Sequence, residues 1–134
     1  MFTSKRRRIV LATTATIAGA GLVLATAPMA GAAQGVEKVK RGPCSGTSTY
    51  ELELEKEHGR IEVEFEVDSR KADQTWNVRL KHNGTVFMKG QRVTDRDGEF
   101  RVKRHVTDKA GKDTIGARAK NPRTGEICQV KLAI

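Results

Sequence analysis

Aromatic residues are scarce in this 134-residue chain, which has four Phe, one Trp and one Tyr. Most of them fall at alternating positions that point to a core, so no platform is left for stacking bases, and nucleic acid is a poor partner. Histidine is scarcer. His58, His82 and His105 lie far apart, two of them in or beside turns, which argues against a shared metal site. There is no nucleophile elbow, no phosphate-binding loop and no histidine-based triad to assemble. The expectation is a protein without catalytic residues, metal or cofactor. A convincing helical period is missing too, which removes helical bundles and α/β folds from consideration. The two cysteines, Cys44 and Cys128, do not form the close-spaced pair that redox catalysis uses.

What is present begins with an export signal over residues 1–33. Lys5, Arg6, Arg7 and Arg8 make a positive n-region, Ile9 to Ala25 is uncharged and apolar, and Ala30-Gly31-Ala32 and Gly31-Ala32-Ala33 offer small-x-small cleavage sites. Ala, Thr and Gly dilute the apolar run, which is shorter than the roughly 20 strongly apolar residues of a stable span. A cleaved signal is therefore expected in preference to an anchor. The residues before Cys44, Arg41-Gly42-Pro43, do not resemble a lipidation box. A secreted domain follows, with the two cysteines expected to be oxidised to one another.

Export changes the charge argument. The formal net charge of +9 includes the four basic residues of the n-region, so the domain itself carries +5. That is moderate, but it is unevenly laid out. From Gln34 to Val67 acids outnumber bases by 8 to 5, and from Asp68 onward bases outnumber acids by 16 to 8.

Residues 34–42 have no period and read as a flexible tail. The domain, 43–134, is dominated by a period of two, the signature of strands buried on one face. Tyr50 and Leu52 alternate with Glu51 and Glu53, and Ile61, Val63, Phe65 and Val67 alternate with Glu62, Glu64 and Glu66. Trp76, Val78 and Leu80 follow, then Phe100 and Val102, Ile115 and Ala117, and Val130. His58-Gly59 and Asn83-Gly84 supply turns; the second is a type I′ signal, since both residues tolerate positive φ. Thr85 to Val93 alternates poorly, as expected of an edge strand or a bulge. Asp95-x-Asp97-Gly98 starts like a calcium loop but lacks the later ligands, and reads as a turn. About seven strands with turns every 8–12 residues predict an all-β, single antiparallel sandwich.

The run Asp108-Lys109-Ala110-Gly111-Lys112-Asp113-Thr114-Ile115-Gly116-Ala117-Arg118-Ala119, followed by Asn121 and Thr124-Gly125-Glu126, resembles the penultimate strand and final hairpin of bacterial Ig-like domains. Trp76 is similar to the core tryptophan of that fold. The usual cystine between the second and sixth strands and the corner tyrosine are missing. The whole chain is also similar to small secreted proteins of high-GC Gram-positive bacteria (actinobacteria). The resemblance implies an Ig-like sandwich. In that topology the first strand begins beside the last, which brings Cys44 and Cys128 to the same end.

Two outward faces result. The glutamates of neighbouring strands would oppose one another, which is unfavourable unless Arg101 and Lys103 flank them. On the other sheet Arg79, Lys81, Arg118, Lys120 and Lys131 form a candidate anion-binding face. The functional expectation is a secreted, non-enzymatic binding module docking on an anionic wall polymer or a partner protein. Alternatives are an inhibitor of an extracellular enzyme, or a surface protein that assembles by pairing acidic and basic sheets.

Overall fold

A computed structural model describes residues 35–134; the expected signal over 1–33 lies outside them. Eight strands form two antiparallel sheets, and the described residues include no helix. The first sheet has the order β1 (Val36–Pro43), β2 (Thr49–Glu57), β3 (Arg60–Asp68), β6 (Glu99–Thr107). The second has β5 (Thr85–Val93), β4 (Thr75–His82), β7 (Thr114–Lys120), β8 (Ile127–Ala133). The arrangement is a two-sheet sandwich, compatible with an Ig-like fold.

The strands form where alternation gives each one apolar face. On β3 the residues Ile61, Val63, Phe65 and Val67 are all 0% exposed, while the glutamates between them stay half-buried. From the other sheet, Trp76, Val78 and Leu80 of β4, Ile115 and Ala117 of β7 and Val130 of β8 close the core. Leu52, Phe100 and Val102 are buried as well, and Tyr50 is packed against this cluster while half-exposed. Phe65 and Trp76 both contact the Phe100 ring, with centroids 6.4 and 6.2 Å away. The core also takes in Leu54, Met88, Ala119, Cys128 and Ile134.

Turn chemistry sets the register of the hairpins. His58 and Gly59 have φ of 52° and 73°, and Asn83 and Gly84 have φ of 48° and 84°. Both pairs have the positive φ at both central residues that a two-residue type I′ connection requires. Strand β5 is an edge, and its register slips at Leu80/Lys81, where Phe87 has no partner on β4. That bulge explains the poor alternation in the sequence.

Of the segment 34–42, expected as a flexible tail, residues 36–42 instead belong to strand β1, which pairs with β2 from Val36↔Lys56 to Pro43↔Thr49. The sequence shows no apolar alternation here because lysines take the inward positions. Lys38 and Lys40 lie opposite the buried Leu54 and Leu52. Their ammonium groups donate to the backbone oxygens of Ala133 (3.1 Å) and Lys131 (3.3 Å) on β8. Both lysines stay exposed, and their heads satisfy carbonyls of the other sheet's edge strand. Next in the strand, Gly42 faces the Tyr50 hydroxyl, which would stand 2.6 Å from a Cβ there. Any larger residue there would require the Tyr50 ring to shift.

The Cys44–Cys128 disulfide joins the loop after β1 to β8, and so ties one sheet to the other across 84 residues. Backbone hydrogen bonds reinforce the junction: Ser45 N–H donates to Ile127 O (2.8 Å) and Ile127 N–H to Ser45 Oγ (2.9 Å).

Candidate functional site

The second sheet presents its outward positions as rows that cross the strands. Lys89 of β5 pairs with Arg79 of β4, and Arg79 with Arg118 of β7. In the next row Gln91 pairs with Asn77, and Asn77 with Lys120. On the other side Val86 pairs with Lys81, Lys81 with Gly116, and Gly116 with Lys131. The five basic residues expected on this face thus lie on three neighbouring strands. The sequence reading missed a sixth, Lys89, because the bulge in β5 shifts the parity after Phe87. No Asp or Glu occupies an outward position of β4, β5, β7 or β8. No ion pair among the described residues involves any of the six.

Directly opposed like charges destabilise a sheet by a few tenths to about 1 kcal/mol per pair. The Lys89–Arg79–Arg118 row therefore has a folding cost that no ion pair among the described residues offsets. A shallow groove of about 290 Å³ opens along this row, lined by Asn77, Arg79, Lys89, Gly90, Gln91, Arg118 and Lys120. Gln91 Nε2 donates to Asn77 Oδ1 at 3.2 Å, which positions the two carboxamides at its margin.

The first sheet solves the same problem internally. Glu51, Glu53 and Glu55 of β2 stand opposite Glu66, Glu64 and Glu62 of β3, and outer strands supply the cations. Arg41 of β1 donates to Glu51 (2.6 Å), and Arg101 Nε of β6 donates to Glu66 (2.9 Å) and lies 3.2 Å from Glu64. Lys103 reaches Glu62 at 2.9 Å, and His105 Nε2 meets the same carboxylate at 3.0 Å. The Lys103 hydrogen bond holds the Glu62 carboxyl below its usual range, against the effect of burial. This face is a cross-strand network in which Glu51, Glu62, Glu64 and Glu66 already have cationic partners.

Glu99, at the start of β6, differs. Burial and the neighbouring carboxylates Glu66, Asp68, Asp95 and Asp97 push its carboxyl up. A raised folded pKa favours the native state at low pH, and that benefit is lost as pH rises through it. Glu99→Gln is therefore expected to stabilise the protein by roughly 0.5 kcal/mol at pH 7, with the gain vanishing in acid. Thermal midpoints of the two proteins across pH would check this.

Asp113, directly before β7, is fully buried beside His82, whose Nε2 lies 2.5 Å from its Oδ1. Lys109 N–H donates to its Oδ2 (3.2 Å), and Lys56 lies 3.8 Å away while also meeting Asp108 at 2.9 Å. His58 contacts Glu57 and His105 contacts Glu62, so the three histidines sit in separate surroundings. His82 has no visible partner in the sequence, because residues 82 and 113 are brought together by the pairing of β4 with β7.

A second recess, of about 340 Å³, lies at the end of the sandwich among the loops around Ser45–Ser48, Ser69–Gln74 and Asn121–Glu126. Its loops are internally bonded: Glu126 accepts from Ser48 N–H (3.0 Å) and Ser48 Oγ–H (2.6 Å), and Asn121 Oδ1 from Arg123 N–H (2.9 Å). Comparison with known proteins found no matching family model and no similar curated protein.

Proposed function

We propose that this protein is an exported, non-enzymatic Ig-like module of a bacterial envelope that binds an anionic polymer through the outward face of β5-β4-β7-β8. One observation carries the reading: six basic side chains occupy the outward positions of one sheet with no acid among them. Cationic rows that lower folding stability and have no internal partner suit an external polyanion, which would neutralise several of them at once. Arg41, Arg101, Lys103 and His105 already engage most of the glutamate face, which favours an external polyanion over a second copy as the partner. The export signal expected over 1–33 and the Cys44–Cys128 disulfide support a partner outside the cytoplasm.

The test is sedimentation of the purified protein with isolated bacterial cell walls over a salt series. Binding is expected to fall about a hundredfold between about 50 and 200 mM salt, as for a ligand held by several anionic contacts. Arg79→Glu combined with Arg118→Glu is expected to lower affinity at least about tenfold while leaving the fold intact, because both residues lie on the outer face. Wild-type protein that stays in solution at low salt, or a double variant that binds equally well, would refute the reading.

A further inference from the structure

Resting on that reading, we propose that the groove over Arg79 and Arg118 is a phosphate-ester subsite, and that the polymer bound there is a base-free chain linked by phosphodiesters. Arg79 and Arg118 are direct cross-strand partners, which sets their backbones about 4.8 Å apart on one face. Two planar guanidinium forks thus rise side by side, with Lys89 flanking Arg79 on the far strand. A carboxylate presents its lone pairs in a single plane, and one fork engages both oxygens. The lone pairs on the non-bridging oxygens of a phosphate ester are not confined to one plane, so two adjacent forks grip the same group.

The rest of the groove fits that ligand. Asn77 uses its Oδ1 to accept from Gln91, which leaves its Nδ2 hydrogens to donate to an ester or non-bridging oxygen. Lys120 stands one row along from Arg118, about 7 Å away on the same strand, where it meets the next charge of an extended polymer. The outward positions of the four strands hold no aromatic ring, so the face grips backbone charge and has nothing to stack on a base.

The experiment compares two probes of matched charge number at physiological ionic strength, an abasic deoxyribose-phosphate oligomer and an oligoglutamate, by fluorescence anisotropy with the full chain. The expected result is that the phosphodiester binds about tenfold more tightly than the carboxylate chain. The second arm is Arg79→Lys combined with Arg118→Lys, which keeps the charge and removes the forks. It is expected to abolish the preference and leave oligoglutamate binding within about twofold. Equal affinity of the wild type for both probes, or a preference that survives the lysine variant, overturns the phosphate subsite while the polyanion reading stands. Binding of neither probe by the wild type, with circular dichroism reporting a folded sandwich, overturns both.

Discussion

Loss of the Cys44–Cys128 disulfide is expected to lower the folding free energy by about 4–5 kcal/mol, from the entropy of the long loop it closes in the unfolded chain. The two cysteines lie 84 residues apart in sequence, so the bond restrains nearly the whole described domain. A small sandwich has a total stability of only about 5–15 kcal/mol, so a loss of this size brings it close to unfolding. The bond also has a local task. It fixes the loop after β1 against β8, where Cys44 N–H donates to Ser48 O and Ser45 N–H to Ile127 O, each at 2.8 Å. Urea denaturation of oxidised and reduced protein, and of Cys44→Ala with Cys128→Ala, checks the size of the effect. A loss below about 1 kcal/mol would mean that backbone bonds and the lysine bridges from β1 hold the sheets together without the disulfide.

Substitution of Asp113 is expected to be almost as severe. Asp113→Ala should cost about 3–5 kcal/mol, because it breaks a buried polar cluster and leaves His82 and the Lys109 N–H without their hydrogen-bond partner. His82 on β4, Lys56 on β2 and the backbone of Lys109 all converge on this one carboxylate. Its own backbone exchanges two hydrogen bonds with Ile134 (3.0 and 2.8 Å), which pins the end of the described chain to the start of β7. Burial opposes charge on Asp113, but hydrogen bonds with His82 and Asp108 outweigh it and hold the carboxyl below the ordinary aspartate range. With the folded pKa depressed, the stabilisation is present above the unfolded value near 3.9 and disappears as pH falls through the folded one. Asp113→Asn keeps the shape and removes the charge. It should destabilise at neutral pH and flatten the acid limb of a plot of denaturation midpoint against pH. An acid limb as steep as that of the wild type would show that other carboxylates carry it.

Most of the sandwich was legible because strands half-buried in a core impose alternation on their own sequence. Ile61 to Val67 and Trp76 to Leu80 announce both the element and its inward face, and His58-Gly59 and Asn83-Gly84 announce the hairpins. Strand β1 was not legible. Its inward positions hold lysines, whose place is set by carbonyls of β8 that lie more than 90 residues away in sequence. Lys89 escaped for a related reason: one bulge reverses the parity of β5, and alternation read on one strand cannot locate a residue left unpaired by its neighbour.

The sequence by itself determined the all-β class, the turn positions, the bonding of Cys44 to Cys128 and the separation of acidic from basic strands. Each of these follows from local periodicity, from turn chemistry or from the small number of cysteines. Tertiary structure alone decided which charges are satisfied. Pairing β1, β2, β3 and β6 gives the glutamates their arginines and lysines, while pairing β5, β4, β7 and β8 stacks Lys89, Arg79 and Arg118 with no acid near them. Charge neutralisation depends on distances between strands remote in sequence, and composition carries no record of those distances.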